Sequence, residues 1–307
     1  MIRMQRASYM DVSNTVNVTD AAAVKAAILD ILQSLYSNCD FAHIDQLVTD
    51  FSRLYRGDFP GYEACDAPYH DVQHVLDVTL AMARLIAGYE AEPGEAGPLG
   101  HDLALAGIAT ALFHDCGYIR RTGDNRNKNG AAYTRVHVKR GAKFLREYLP
   151  QAGLSKLVGT CTRIIHFTAY RTHPRNLAVN SERERCLGSL LGTADLIAQM
   201  SDVEYLRKCR EHLYREFEIG GLAGTQSAIA REDLLFRSPD HLLETTPAFM
   251  RNTIDERLEH ELGGVHRYAA RFFGGTHLYM DAIIDNWHLL QDLLMEDAPA
   301  LKTASMR

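Results

Sequence analysis

An apolar segment that ends in two adjacent polar residues is the first place in this sequence where the residue types suggest chemistry. Residues 109–118 read Ala-Thr-Ala-Leu-Phe-His-Asp-Cys-Gly-Tyr, so His114 and Asp115 follow a run that is typical of a buried helix. A buried imidazole beside a buried carboxylate costs free energy unless both groups have partners. A divalent metal ion satisfies both, since histidine nitrogens and aspartate oxygens are common ligands of zinc, iron and manganese. The pair alone equally fits an aspartate that begins a loop after a core helix, so a metal site requires further ligands.

A second candidate group lies upstream, in the segment Tyr69-His-Asp-Val-Gln-His-Val-Leu-Asp-Val. It places His70, His74 and Asp77 at i, i+4 and i+7, which is one face of a helix. The alternative is a solvated helix face, but the apolar neighbours indicate that much of this helix is buried. Ligating imidazoles usually have a hydrogen-bond partner on their second nitrogen, so Asp77 is predicted to orient a ligand histidine.

Three further polar residues, His137, His166 and Asp195, stand among small or apolar neighbours in helical patterns. Each alone is more typical of a hydrogen-bonded core residue than of a metal ligand. Combined with the residues above, they give six candidate ligands in separate helices, enough to hold two metal ions with one carboxylate between them. The six predicted ligands are His74, His114, Asp115, His137, His166 and Asp195.

The remaining pattern is helical almost throughout, and the sequence contains no internal repeat or low-complexity linker. We therefore predict an all-α fold: a flexible lead-in over residues 1–17, then a single helical-bundle domain over residues 18–300. Its metal-ligand core spans about 69–202, and C-terminal helices span about 203–296. The predicted helices are Ala21–Tyr36, Phe41–Tyr55, Tyr69–Tyr89, Asp102–Asp115, Ala131–Leu149, Leu154–Thr168, Glu182–Met200, Asp202–Phe217, Pro247–Leu262 and Leu278–Leu294.

Composition narrows the class of protein. Charged residues make up 23% and hydrophobic residues 46% of the 307 residues, which is the balance of a globular protein with a sizeable core. The net charge of -6 argues against general nucleic-acid binding, which needs a basic face. The six cysteines include no C-x-x-C pair, which favours reduced thiols over a disulfide framework. With no signal-peptide pattern and no apolar run of membrane-spanning length, we expect a cytoplasmic protein without membrane contact; a homo-oligomer stays open.

The order and context of these residues resemble the HD superfamily of metal-dependent phosphohydrolases, which is named for its adjacent His-Asp pair. The resemblance covers roughly residues 69–202. The segment that starts at Tyr69 is similar to the Tyr-His-Asn-x-x-His-Ala-x-Asp-Val motif of class I cyclic nucleotide phosphodiesterases, with Asp71 in place of the asparagine. Thr193-Ala-Asp-Leu, followed by Ser201-Asp202, resembles their Ala-Asp-Leu segment, which carries the last metal ligand.

This sequence also departs from the phosphodiesterase pattern. Those enzymes hold their second metal largely through water, whereas His137 and His166 here resemble the direct ligands of the binuclear branch of the superfamily. Gly141-Ala142 resembles the bacterial cyclic-di-nucleotide branch, but the Gly-Tyr-Pro motif of that branch is absent. No counterpart of the purine-binding glutamine is identified, although Gln291 lies in a predicted C-terminal helix.

The resemblance implies that two divalent metal ions, which would be Fe, Mn, Zn or Mg, take part in hydrolysis of a phosphoester. The implied substrate is a small phosphorylated molecule, most simply a nucleotide or cyclic nucleotide diester. His70 is expected to protonate the leaving oxygen, and Asp115 to bridge the two metals. The implied ligands are His74, His114, Asp115 and Asp195 for the first metal and Asp115, His137 and His166 for the second. Five basic residues fit either phosphate binding or a solvated loop and helix face: Arg120, Arg121, Lys128, Lys139 and Arg140.

Two other functions fit the same pattern. A di-iron oxygenase branch of this fold, which cleaves C–C or C–P bonds with dioxygen, has the same order of six ligands. The Tyr-His-Asp-x-x-His context favours phosphoester hydrolysis over that chemistry. A regulatory HD domain that binds a nucleotide without turnover is the third function; such domains usually lose ligands, whereas this sequence keeps all six.

Overall fold

The computed structural model describes residues 6–224 and 234–304, with side chains up to residue 295. Within these ranges the protein is all-α, as predicted: the β-type pairings are isolated bridges, and no strand forms. Within the same ranges, no helix combines the length and the apolar character that are needed to cross a bilayer. All six cysteines are free thiols, as expected from their spacing.

The α-helices are α1 (Ala21–Leu35), α2 (Ala42–Arg56), α3 (Val72–Ala91), α4 (His101–Phe113), α5 (His137–Gln151), α6 (Val158–Ile164), α7 (Glu182–Ser201), α8 (Tyr205–Lys208), α9 (Tyr214–Ile219), α10 (Pro239–Asn252), α11 (Arg267–Phe272) and α12 (Leu278–Ala304). Short 3₁₀ turns are formed by Cys116–Tyr118, Gly130–Tyr133, Ser155–Leu157, Ile165–Thr168 and Pro174–Asn176. Two π-helical segments are Cys209–Leu213 and Thr253–Glu261.

Helix α3 lies at the centre of the packing. It is buried over most of its length and contacts α1, α4, α7 and α11. Helix α4 is also enclosed, because its residues are small or apolar on every side. A helix that is apolar all round gains free energy only when other helices surround it. The packing of α3, α4 and α7 therefore brings the three helices that carry His74, His114 and Asp195 together.

Side-chain caps fix where the ligand-bearing helices begin. Asp71 accepts a hydrogen bond from the backbone N–H of His74 at 2.9 Å and so starts α3. Ser181 accepts one from Glu184 and starts α7. Aspartate and asparagine are equally good N-caps, so Asp71 can do the local work of the asparagine in the motif it resembles.

Two glycines allow the backbone to approach closely beside the predicted ligands. A Cβ atom at Gly117 would lie 1.9 Å from the carbonyl oxygen of His137, and one at Gly192 would lie 2.6 Å from that of Phe167. The turn after Asp115 therefore packs directly on the start of α5, and α7 packs directly on the Ile165–Thr168 turn. Any larger residue at either glycine would push these segments apart.

Several helix boundaries differ from the predictions; α5, for example, begins at His137 rather than at Ala131, which lies in a short 3₁₀ turn. The helix predicted to begin at Pro247 begins at Pro239, because Ser238 caps it and a proline is well tolerated in the first turn. In the predicted lead-in, the described residues include an antiparallel bridge between Met10 and Asn17 and a fully buried Asp11. This part of the lead-in is therefore packed against the helices.

Candidate metal centre

Four of the predicted ligands meet where α3, α4 and α7 converge. The Nε2 atom of His74 lies 3.3 Å from Asp115 Oδ2 and 3.4 Å from Asp195 Oδ1. The Nε2 atom of His114 lies 3.0 Å from the same Asp115 oxygen and 3.8 Å from the same Asp195 oxygen. We call these four residues the metal-candidate cluster. Two imidazole nitrogens and two carboxylate oxygens thus face one another in a space the size of a coordination sphere.

Several polar atoms of this cluster lack hydrogen-bond partners. His74 Nε2, His114 Nε2 and Asp115 Oδ2 are buried without one among the described residues, because their close contacts lack hydrogen-bond alignment. His114 Nδ1 lies 2.7 Å from the carbonyl oxygen of Ala111, which holds the proton on Nδ1 and leaves the Nε2 lone pair facing the cluster. Buried polar groups without partners are costly. This donor set therefore fits a divalent cation better than a sealed polar core.

The electrostatics of the cluster also favour a cation. Burial alone would lower the pKa of His74, but the Asp115 and Asp195 carboxylates raise it to about 10. Burial alone would raise the pKa of Asp115, but His114 and His70 hold it well below its usual range. The carboxylates thus favour positive charge at His74, and the neighbouring imidazoles favour negative charge at Asp115, so a bound cation would take the place of the protons that these imidazoles carry.

The two oxygens of Asp115 face different partners. Oδ2 faces His74 and His114, whereas Oδ1 lies 3.7 Å from His137 Nε2 at the first residue of α5. His137 Nδ1 lies 2.7 Å from the Thr134 carbonyl oxygen, which leaves Nε2 toward the carboxylate. Burial lowers the pKa of His137, which favours the neutral, metal-binding form. A carboxylate with ligand nitrogens on both sides has the arrangement that a bridging ligand needs.

His166 is placed differently from the other predicted ligands. It lies in the Ile165–Thr168 turn, which packs against α7 and α5. Burial and the charge of Lys139 lower the pKa of His166, which favours its neutral form. Among the described residues, the groups whose ligand atoms lie within 4.8 Å of one another omit both His166 and His137; these groups are His70, His74 and Asp115, and His74, His114 and Asp195. The role of His166 as a ligand stays a prediction.

A buried glutamate that sequence analysis missed holds His70. Glu216 on α9 is fully buried, and its Oε1 lies 2.5 Å from His70 Nδ1. Its Oε2 accepts the backbone N–H groups of Tyr69 and His70 at 3.1 and 3.4 Å. Burial alone would lower the pKa of His70, but Glu216 raises it, and in the same pair His70 lowers the pKa of Glu216 despite burial. Glu216 thus orients the imidazole and favours its protonated form.

A sequence signal for Glu216 does exist. Cys209, Leu213 and Glu216 stand at i, i+4 and i+7, so the glutamate continues an apolar helix face. A carboxylate on such a face needs a buried partner. The partner lies 146 residues away in sequence, so its identity required the folded structure.

Asp77 lies one turn beyond His74 on α3, but its Oδ1 atom is buried without a hydrogen-bond partner among the described residues. Burial, and then the nearby Asp202, raise the pKa of Asp77 to about 7. Asp77 and His74 also line a cavity of about 10 Å³, room for about one water molecule. The proposed role of Asp77 in orienting a histidine stays a prediction.

Three of the five basic candidates are engaged in contacts within the protein. Arg120 forms an ion pair with Asp66 at 3.0 Å, and Arg121 forms one with Glu147. Arg140 donates to two backbone carbonyls at 2.6 and 2.9 Å. These contacts fasten the loop that follows Asp115, so phosphate binding by these three would have to compete with them. The remaining candidates, both exposed, are Lys128 and Lys139.

A solved structure shares this fold over nearly the whole chain. It is the phosphodiesterase domain of the RhoPDE fusion protein from the choanoflagellate Salpingoeca rosetta. The similarity covers 96% of this chain and 98% of that chain, with a TM-score of 0.56 and 16% sequence identity. The arrangement of helices is therefore phosphodiesterase-like.

Sequence comparison gives the family. No curated protein matches this sequence significantly. A family model described as Npun_R2479-like matches residues 60–267, which include every predicted metal ligand as well as His70 and Glu216. Because this match spans well over half of the 307 residues and encloses the candidate metal centre, the chain belongs to the Npun_R2479-like family.

Proposed function

We propose that this protein is an HD-type metal-dependent phosphohydrolase with a binuclear centre, acting on a nucleotide or cyclic nucleotide phosphodiester. The observation that carries the proposal is the position of Asp115 between histidines on both sides. His74 and His114 face its Oδ2 atom, and His137 faces its Oδ1 atom. The buried, unpartnered nitrogens around it support the same conclusion. The proposed ligands are His74, His114, Asp115 and Asp195 for one metal, and Asp115, His137 and His166 for the other.

The chemistry that two bound divalent ions supply is activation of a water nucleophile and stabilisation of charge on the phosphoryl oxygens. Asp115 and Asp195 would provide the negative charge that retains the ions. The neutral imidazoles would offer nitrogens already oriented by backbone carbonyls, as His114 is by Ala111. The exposed Lys128 and Lys139 are proposed to contact the substrate phosphate.

His70 is proposed as the proton donor to the leaving oxygen. Glu216 occupies its Nδ1, so Nε2 is the nitrogen available toward the cluster. Glu216 raises the pKa of His70 against the effect of burial, which favours the protonated ring that a proton donor needs. His70 also belongs to a group with His74 and Asp115 whose ligand atoms lie within 4.8 Å. A proton donor at this position would lie beside the reacting phosphate.

We further propose that residues 18–300 act as one domain. One hydrophobic cluster includes residues from Val18 to Leu290, so the N-terminal and C-terminal helices share their core with the ligand-bearing helices. A C-terminal part packed in this way would shape the specificity of the site rather than fold independently.

The test is elemental analysis together with hydrolysis assays on wild type, Asp115→Ala and Asp102→Ala. The substrates are bis(p-nitrophenyl) phosphate and a 3′,5′-cyclic nucleotide. Asp102 lies on α4, the helix that precedes Asp115, and its side chain is 81% exposed, so it is a matched control. We expect about two metal ions per wild-type chain, and a loss of both ions and of roughly 10³-fold or more in hydrolysis in Asp115→Ala only.

Other outcomes would redirect the assignment. Two irons with dioxygen uptake and no hydrolysis would support the oxygenase instead. A wild-type protein that binds no metal even after reconstitution, but binds a nucleotide unchanged, would support a regulatory domain. Equal losses in Asp115→Ala and Asp102→Ala would show that the effect is not specific to the cluster.

A further inference from the structure

The aromatic ring of Tyr118 contacts both His70, the proposed proton donor, and His137, a proposed metal ligand. Tyr118 is 1% exposed. Its ring stacks on that of His70, with centroids 4.5 Å apart and planes inclined by 16°, and on that of His137, at 4.4 Å and 15°. The two imidazoles lie 6.1 Å apart and are themselves inclined by only 29°. The Tyr118 ring therefore packs in a near-parallel orientation on two imidazoles from separate segments, and these imidazoles are too close together to lie at opposite ends of a linear stack.

The backbone around Tyr118 is held on both sides. Arg140 donates to the carbonyl oxygens of Gly117 and Ile119, the residues immediately before and after Tyr118. The close approach of Gly117 to the His137 carbonyl fixes the turn against α5. The Arg140 guanidinium is in turn 3.6 Å from the centroid of the Tyr133 ring. The tyrosine ring is thus presented from a rigid turn, only three residues after Asp115.

Each stacked imidazole has one nitrogen fixed by a hydrogen bond, and that bond alone does not fix the plane of the ring. His70 is held at Nδ1 by Glu216, and His137 at Nδ1 by the Thr134 carbonyl. Rotation about such a bond would swing Nε2 away from Asp115. A flat ring packed on the imidazole face blocks that rotation, because tilting would break the aromatic contact. The hydrogen bond and the contact with the Tyr118 ring together determine the direction of Nε2 in each of the two histidines.

We infer that Tyr118 is a positioning residue that sets the ring planes of His70 and His137 through its aromatic face. The inference rests on the proposed function for its catalytic consequence, since proton donation by His70 needs Nε2 to point at the leaving oxygen. Its structural consequence is independent of any activity. The hydroxyl group interacts with Thr134 and Glu216, but the stacking uses only the ring, so the inference assigns the imidazole planes to the ring and not to the hydroxyl.

The test compares Tyr118→Leu with Tyr118→Phe. Leucine is a bulky apolar residue without a flat face, whereas phenylalanine keeps the ring and loses only the hydroxyl. Tyr89→Leu is the control for loss of a buried tyrosine, since Tyr89 is 2% exposed and packs edge-to-face against Tyr268, outside the site. Crystal structures of the variants report the imidazole orientations, and melting curves and metal analysis accompany them.

We expect the His70 and His137 rings to turn or occupy several orientations in Tyr118→Leu and to keep their planes in Tyr118→Phe and in Tyr89→Leu. Unchanged rings in Tyr118→Leu, or disturbed rings in Tyr118→Phe, would overturn the inference. The comparison of imidazole orientations tests the inference even if the wild type hydrolyses none of the substrates. That result would contradict only the proposed function. If Tyr118→Leu does not fold, Tyr118→Phe provides the test. Imidazole planes and rates like those of the wild type would support the role of the ring, and changed imidazole planes in Tyr118→Phe would refute it.

The leaving group provides the kinetic test. Nitrophenolate departs without much help from an acid, whereas a phenolate without the nitro group needs protonation. Tyr118→Leu should therefore lower kcat for a phenyl diester by about 10- to 100-fold, with a smaller effect on the nitrophenyl diester and little change in KM. Tyr118→Phe should restore both rates. Equal losses on the two substrates would indicate a structural defect and contradict the positioning of the proton donor.

Discussion

Two buried polar clusters in this protein are built in opposite ways. In the first, Asp11 pairs with Arg84 at 2.6 Å and also accepts backbone N–H groups, from Thr15 at 2.8 Å and Val16 at 2.7 Å. Arg84 donates in addition to the Tyr279 hydroxyl at 3.0 Å. Among the described residues, only its Nε lacks a partner. We call this the Asp11–Arg84 cluster. Its carboxylate is neutralised by the protein itself.

Within the described part of the chain, the metal-candidate cluster has no arginine or lysine paired with its carboxylates. Its two carboxylates face imidazoles rather than a permanent cation, and three of its buried polar atoms lack partners among the described residues. Although burial alone would raise the pKa of Asp11, Arg84 and the hydrogen bonds to its carboxylate lower it to about 2. Burial of charge alone therefore does not identify a functional site. The informative feature is a buried carboxylate that faces only titratable imidazoles, with polar atoms left unpartnered around it.

The largest effect on stability is expected from Asp11→Ala. It leaves the Arg84 guanidinium buried without its carboxylate, which should cost about 3–5 kcal/mol in the free energy of unfolding. Metal content and hydrolysis at low temperature should stay at wild-type levels, because the two clusters share no residue. Urea unfolding with metal analysis provides the measurement. A metal-free Asp115→Ala protein should lose clearly less stability than Asp11→Ala; the reverse order would break the comparison.

Removal of metal should have the next largest effect. An ion that binds only the folded state at 100 times its Kd adds about 2.7 kcal/mol to the free energy of unfolding. Chelation should therefore lower the Tm of wild type and of Asp11→Ala, and added metal should restore it. Asp115→Ala should melt at one temperature with or without chelator. A wild-type Tm that does not respond to chelation would mean that the cluster is internally satisfied, like the Asp11–Arg84 cluster.

The smallest of the expected effects on stability is that of a substitution at Asp77, which belongs to neither cluster. Burial and Asp202 raise its pKa from 3.8 to about 7, so the folded state holds the proton more tightly than the unfolded chain. Its contribution to stability is therefore present below about pH 4 and is lost as the pH rises toward 7. Asp77→Asn should exceed wild type in stability by roughly 1–3 kcal/mol at pH 8, and the difference should vanish near pH 4. Unfolding curves across this range measure it, with Asp102→Asn as the exposed control; a difference independent of pH would contradict the assignment.

Much of the fold followed from local patterns. The periodicity of apolar residues predicts α1, α3, α4 and α7 to within a few residues, because a helix face depends only on neighbours three and four positions apart. Where local signals competed, the boundary was wrong. Ser238 and Pro239 start α10, and the sequence pattern around Pro247 concealed this earlier cap.

The candidate site divides in the same way. Residue types predict six candidate ligands, and the resemblance to the HD superfamily assigns His74, His114, Asp115 and Asp195 to one metal; the structure brings the side chains of these four together. His166 has suitable chemistry, but its position relative to the cluster depends on how the Ile165–Thr168 turn packs on α7. Sequence spacing carries no information about such packing.

The sequence alone predicts the set of chemical groups and the helices that carry them, since both depend on residues that are close together along the chain. Which of these groups meet depends on the tertiary structure. Glu216 contacts His70 across 146 residues, and Arg120 contacts Asp66, with which a substrate phosphate would have to compete. The physical reason is that these contacts depend on the relative placement of separate helices, which the burial of the whole apolar core fixes at once.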